Sequence, residues 1–124
     1  MSMKIACLGG GPAGLYFAIS MKLRNASHDI TVIERNRADD TFGWGVVLSD
    51  ETLANLKDND PVSAEAIQNR FAYWDDIALV HRGERLVSSG HGFCGIGRRK
   101  LLELLQERAV ALGVKLEFET EIDD

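Results

Sequence analysis

The sequence predicts an α/β fold opened by a βαβ unit on a parallel sheet, and three observations lead to it. An apolar run from Lys4 to Leu8 passes directly into Gly9-Gly10-Gly11-Pro12-Ala13-Gly14. Helical patterning over residues 13–24 comes next. A second, β-branched run, Asp29-Ile30-Thr31-Val32-Ile33-Glu34, then ends in a carboxylate 20 residues after Gly14. Strand, glycine-rich turn, helix and strand in that order are the parts of a right-handed crossover between parallel strands.

The first run is continuous in its apolar character, as expected of a parallel strand covered on both faces. Cys7 within it meets the need for a small buried apolar residue, which predicts a core thiol. In the turn, Gly9, Gly11 and Gly14 stand at the spacing G-x-G-x-x-G. Gly9 can take the positive φ of a tight strand-to-helix turn. Gly11 has no Cβ to hold a pyrophosphate away from the backbone, and Gly14 allows close helix packing. Pro12 suits the first helical turn, where the N–H it lacks has no intrahelical partner. An anion would then meet free backbone N–H groups and the positive end of a helix dipole. Glu34 stands where a dinucleotide-binding unit needs an acceptor for a ribose hydroxyl. The bland alternative is a βαβ unit without a ligand, with Glu34 merely closing a strand.

In the helix, Leu15, Ala18, Ile19 and Lys22 share a side, while Phe17, Met21 and Leu23 widen the apolar surface, so the helix is expected to be well buried. Asn25-Ala26-Ser27-His28 breaks its pattern, and Arg35 to Asp40 reads as loop. Thr41 to Ser49 joins bulky apolar residues to Gly43 and Gly45. Such a stretch either lets backbone approach a flat ring or forms a buried turn around a core Trp44. Asp50 to Lys57 and Pro61 to Asn69 read as short helices, the second with Asp60 as N-cap and Pro61 at the first helical position. Phe71 to Trp74, Ile77 to His81 and Arg85 to Ser88 read as short strands, with Arg82-Gly83-Glu84 as a hairpin turn. Arg82 and Arg85 are isolated charges flanking that turn.

Ser89 to Gly97 is rich in glycine and leads into Arg98-Arg99-Lys100. Leu101, Leu104, Leu105, Ala109 and Leu112 then form a helical stripe, with Gly113 placed just past its end. Val114, Leu116 and Phe118 alternate with charged residues, the pattern of a strand with one apolar face. Arginines at a helix start oppose the dipole, so Arg98 and Arg99 either answer to a ligand anion or are simply exposed.

The 124 residues carry 14 basic and 19 acidic side chains, a formal charge of −5. Their basic residues are scattered, which argues against nucleic acid as a partner. Apolar residues at 45% and charged residues at 27% are ordinary for a globular domain, and the length allows one domain at most. No apolar run reaches membrane-spanning length and no signal is read at the start, so no membrane and a cytoplasmic location are expected. Cys7 and Cys94 do not form a close pair, which argues against dithiol chemistry. His28, His81 and His91 lack ligand spacing, so no metal is expected.

Taken together, these segments resemble the N-terminal part of the class A FAD-dependent aromatic hydroxylases, the p-hydroxybenzoate hydroxylase type. The resemblance is carried by Gly9 to Gly14, by the Glu34-Arg35 pair after the second strand, and by the Arg-x-x-Leu-x-x-x-Leu helix from Arg98 through Leu101 to Leu105. Phe42-Gly43-Trp44-Gly45-Val46-Val47-Leu48-Ser49-Asp50 and Gly90 to Arg98 are similar above all to hydroxylases of aryl-CoA thioesters such as salicylyl-CoA and anthraniloyl-CoA. The Gly-Trp-Gly-Val-Val stretch is also similar to tryptophan-type indole hydroxylases.

The family implies a Rossmann-like FAD-binding fold, here with a small antiparallel insertion. It places the FAD pyrophosphate on Gly11, Pro12, Ala13 and Gly14, with Gly9 shaping the turn and Glu34 on the adenosine ribose. Arg35 would lie near the adenine, Gly45 and Val46 near the isoalloxazine, and Arg98 near the ribityl-pyrophosphate. Many relatives carry an arginine in the loop that Trp44 occupies here. The implied activity is that of a flavoprotein monooxygenase: NADH or NADPH reduces FAD, and one oxygen atom passes to an aromatic small molecule in aromatic compound degradation. The flavin carries the chemistry, so no catalytic residue is assigned.

Family members continue into further flavin segments and a substrate domain. Residues 1–124 are therefore expected to be the N-terminal part of an FAD-binding domain, inactive alone, with an open sheet edge that favours self-association. Other readings of the same fingerprint are an NAD-dependent dehydrogenase and a non-catalytic nucleotide-binding fragment.

Overall fold

The computed structural model describes residues 1–123 and divides into two compact units. The first combines residues 1–44 with residues 98–123, and the second is Gly45–Gly97.

In the first unit, β1 (Lys4–Leu8), β2 (Asp29–Ile33) and β8 (Lys115–Glu117) form a parallel sheet in the order β1-β2-β8. The register pairs Lys4 with Asp29 and Leu8 with Ile33, then Thr31 with Lys115. Helix α1 (Pro12–Arg24) joins the first two strands, so the expected βαβ unit is present. The central strand buries Ile30 and Val32. Helix α4 (Arg98–Ala111) packs against α1, and Leu15, Ala18 and Ile19 meet a core that includes Leu101, Leu105 and Ala109. Alanines at fully buried positions let two helix backbones approach closely. Gly113, with φ +93°, ends α4 in the left-handed conformation that glycine adopts without strain.

Two expectations change here. Strand β1 is not covered on both faces: it lies at the sheet edge, Leu8 is exposed, and Cys7 is half-buried instead of a core residue. Helix α1 buries one face only, and Phe17 and Leu23 face solvent because a single partner helix covers a single stripe.

The second unit holds an antiparallel sheet ordered β3-β7-β4, made of β3 (Gly45–Ser49), β7 (Phe93–Gly97) and β4 (Ala72–Trp74). Helices α2 (Asp50–Asn59) and α3 (Pro61–Gln68) pack on each other and bury Leu53, Ala64 and Ile67. Ser49 caps α2, its hydroxyl accepting the Thr52 N–H at 3.2 Å. Asp60 stands at the N-cap of α3 as expected, but its buried carboxylate accepts the Ser63 hydroxyl in place of a backbone cap. Strands β5 (Ile77–His81) and β6 (Glu84–Ser88) form a separate hairpin. Its loop is Arg82-Gly83, both at positive φ, shorter by one residue than expected because Glu84 already pairs with His81.

The stretch from Thr41 to Ser49 is not a buried turn. It runs into strand β3, and Trp44 is 99% exposed. The second half of the glycine-rich segment before Arg98, Phe93–Gly97, is the central strand β7. Its Gly95 is explained by packing, since an added Cβ would lie 3.0 Å from the Trp74 ring.

Candidate nucleotide-binding site

The glycine turn is held from three directions. Gly9 takes φ +114°, and its N–H donates to the Ile33 carbonyl at 2.8 Å, tying the turn to the end of β2. A Cβ added at Gly14 would overlap the Gly9 carbonyl oxygen and lie 3.2 Å from its carbon, so α1 can start this close only without a side chain there. Its tight approach is to the turn itself. At Gly11 an added Cβ would meet nothing within 4 Å, so that space is open for a ligand. Pro12 occupies the first helical position, and the first turn of α1 contains no acidic residue.

Glu34 joins this turn directly. Its Oε2 accepts the Gly10 N–H at 2.8 Å, and its Oε1 accepts the Asn36 N–H at 3.3 Å. The Glu34 backbone is fixed as well, donating to the Glu117 carbonyl at 2.8 Å and accepting from Thr120 N–H at 3.0 Å. An ionised carboxylate has about four lone-pair sites, so ribose hydroxyls can still be accepted. Gly10 is a residue that sequence reasoning passed over. A Cβ there would lie 3.0 Å from the Glu34 Cβ, so the carboxylate reaches the turn because Gly10 has none. Its signal was present as the middle member of three consecutive glycines.

A cleft of about 70 Å³ opens beside the turn, lined by Gly10, Gly11, Glu34, Thr41, Phe42 and Arg98 among others. Its loop wall is braced by Arg37, whose N–H donates to Asp40 at 3.2 Å, and by Gln106, which donates to the Ala38 carbonyl at 3.0 Å. The Arg37 backbone N–H bond, reinforced by its guanidinium, holds the Asp40 carboxyl below the usual carboxylate range. The two arginines at the start of α4 part company. Arg99 pairs with Asp39 at 3.7 Å and Glu103 at 3.5 Å. Arg98 turns into the cleft, where its Nε is buried with no hydrogen-bond partner, as is the Thr41 hydroxyl.

Arg35 lines an adjoining cleft of about 240 Å³ with Leu8, Gly9, Glu34 and Thr120. The structure thus gathers Gly9, Gly11, Pro12, Gly14, Glu34, Arg35 and Arg98 in one unit. Ala13 lies in the same helical turn, exposed. Gly45 and Val46 belong to the second unit, where they pair with Gly97 and Ile96. Burial pushes the thiols of both free cysteines, Cys7 and Cys94, above their ordinary range. Among the described residues no helix is long and apolar enough to cross a membrane. No cluster of three or more His, Cys, Asp or Glu side chains among them could hold a metal.

A parallel βαβ unit with a glycine turn, an acid at the second strand end and a polar cleft defines a dinucleotide-binding fold. The chain belongs to the pyridine nucleotide-disulphide oxidoreductase family, whose model matches residues 3–123. It is 48% identical over 122 residues to a salicyloyl-CoA 5-hydroxylase of Streptomyces sp, covering 98% of this chain and 24% of that one. It is 34% identical over 121 residues to protodeoxyviolaceinate monooxygenase of Chromobacterium violaceum, covering 95% of this chain and 32% of the relative. The chain thus spans about a quarter to a third of these relatives' length.

Among solved structures, the tetrameric form of 2-methyl-3-hydroxypyridine-5-carboxylic acid oxygenase superimposes with a TM-score of 0.79 at 24% identity, over 97% of this chain and 32% of that one. PqsL of P. aeruginosa gives 0.79 at 18% identity, over 99% and 34%. The Rossmann-type fold and the kinship with flavin monooxygenases are as expected, and FAD is the cofactor they indicate, with NAD(P)H the usual reductant. The residues present fit that group: an open cradle at Gly11, a fixed carboxylate at Glu34, and two buried groups without partners in the same cleft.

Proposed function

We propose that this chain is the FAD-binding N-terminal portion of an NAD(P)H-dependent monooxygenase that hydroxylates an aromatic ring presented as an aryl-CoA thioester. FAD binding by residues 1–124 rests on one observation above the others. The open face of Gly11 and the fixed carboxylate of Glu34 border a single cleft. The aryl-CoA substrate class is supported by the 48% identity to a salicyloyl-CoA hydroxylase.

When bound, FAD supplies the redox chemistry and the activation of dioxygen. The chain's own residues bind and orient. Gly11 to Gly14 offer backbone N–H groups and a helix N-terminus to the diphosphate. Glu34 takes the adenosine ribose hydroxyls, and Arg35, in the adjoining cleft, borders the adenine. Arg98 takes the ribityl side of the diphosphate. The protein acts in the cytoplasm and self-associates through the edge of β1, which among the described residues has no strand on its outer side.

The test is a titration of FAD into the purified chain, followed by quenching of flavin fluorescence, with Gly11→Val as control. Submicromolar binding, lost in the variant, is expected. Equal binding by the variant would refute the placement of the diphosphate on this turn.

A further inference from the structure

We propose that Thr41 is a ligand-binding residue, its hydroxyl acting with Arg98 Nε as a pair of donors to one phosphate of the bound dinucleotide. The proposal rests on the FAD reading above. No motif singles out Thr41, which lies in an irregular loop between Asp40 and Phe42.

Thr41 Oγ1 and Arg98 Nε are the side-chain polar atoms of non-exposed residues that are fully buried without a hydrogen-bond partner among the described residues. A buried polar atom without a partner is a net destabilisation, and folded proteins seldom retain one without a use for it. Here both line the same cleft. An arginine Nε can only donate and a hydroxyl can donate, so what the two share is a demand for an acceptor. Arg98 is always charged, which makes an anion the favoured acceptor.

The acids facing the cleft do not meet that demand. Glu34 bonds to Gly10 and Asn36, and Asp40 bonds to Arg37. Neither α1 nor α4 has an acidic residue in its first turn, so the helix starts themselves do not repel an anion, and the two acids at the cleft are already engaged by donors. At about 70 Å³ the cleft has room for a phosphate group. Gly11, which also lines the cleft, would supply a further contact.

Thr41→Val, Thr41→Ser and Arg98→Lys test the pairing. Binding of FAD and of inorganic pyrophosphate is measured by titration, and the melting temperature of each unliganded chain by circular dichroism. Thr41→Val should weaken FAD binding by about 10- to 100-fold, the range for a hydrogen bond to a charged group, and Thr41→Ser should restore it. Arg98→Lys, which keeps the charge and removes Nε, should weaken binding comparably. Without ligand, Thr41→Val should melt at or above the wild-type temperature, because it removes an unsatisfied hydroxyl. A purely structural hydroxyl would behave in the opposite way.

Unchanged FAD affinity in Thr41→Val would overturn the proposal while leaving FAD binding intact. A lower unliganded melting temperature without rescue by Thr41→Ser would overturn it as well. If the wild type binds pyrophosphate but not FAD, and Thr41→Val weakens that binding, the anion site stands and the FAD reading falls. Binding of neither probe would overturn both.

Discussion

Gly14→Ala separates the structural part of the glycine turn from its ligand-facing part. An added Cβ overlaps the Gly9 carbonyl oxygen and lies 3.2 Å from the carbonyl carbon, so backbone would have to move. Gly9 cannot give way freely, because its N–H is bonded to Ile33 at 2.8 Å and its φ of +114° suits glycine alone. Overpacking of this kind costs about 1–3 kcal/mol and occasionally more. Alanine in place of glycine within a helix returns about 1 kcal/mol. With backbone as the clashing partner, the upper part of the range applies and the net loss is about 2 kcal/mol. For a chain of this size that corresponds to a fall in melting temperature of roughly 6–10 °C. Gly11→Ala is the matched control, since its Cβ meets nothing within 4 Å. It should melt within about 1 kcal/mol of the wild type yet bind FAD less well. Thermal and urea unfolding of the unliganded chains, followed by circular dichroism, measures both. A Gly14→Ala chain as stable as the wild type would refute the close approach of α1 to the turn.

Two further outcomes are expected. Because burial raises both thiols above the ordinary value of 9.0, Cys7 and Cys94 should be alkylated at pH 8 more slowly than free cysteine, which a thiol-specific reagent reads directly. The folded state then holds those protons more tightly than the unfolded state, so their contribution to stability falls as pH rises through 9.0. Self-association through the β1 edge should appear in sedimentation velocity as a concentration-dependent species, and Ala6→Pro should reduce it by removing an edge N–H. A strict monomer at high concentration would count against an open edge that pairs.

The turn and Glu34 could be read in the sequence because their demands are local. Positive φ, a missing Cβ and a carboxylate at the end of the second strand leave marks at short spacing. The stripe of α4 was equally plain, since Leu101, Leu105 and Ala109 recur at helical period. Burial of Cys7 was misjudged because an apolar strand reads alike at the centre and at the edge of a sheet, and only the order β1-β2-β8 distinguishes them. Strand β7 was hidden by Gly95 and Gly97, residues that propensity assigns to turns; the reason for Gly95 is the ring of Trp74, a residue 21 positions away. Dipole reasoning could flag Arg98 and Arg99 together but could not tell which would find acidic partners. Thr41 left no trace at all, because an unsatisfied hydroxyl is a property of its surroundings.

The way the second unit is inserted bears on how the chain folds. The parallel sheet cannot be completed until β2 meets β8, across about 80 residues that include the inserted Gly45–Gly97 unit. That insertion begins at Gly45 and ends at Gly97, which face each other as partners in the antiparallel pairing of β3 with β7. Once those two strands zip together, a long flexible loop becomes a connection whose ends are already side by side. By the logarithmic dependence of closure entropy on length, shortening that connection to about 30 residues relieves the later pairing of about 1 kcal/mol. The inserted unit is continuous in sequence, whereas the first unit is assembled from two separate segments. The β3–β7 pairing thus shortens the connection between the βαβ unit and the α4–β8 segment.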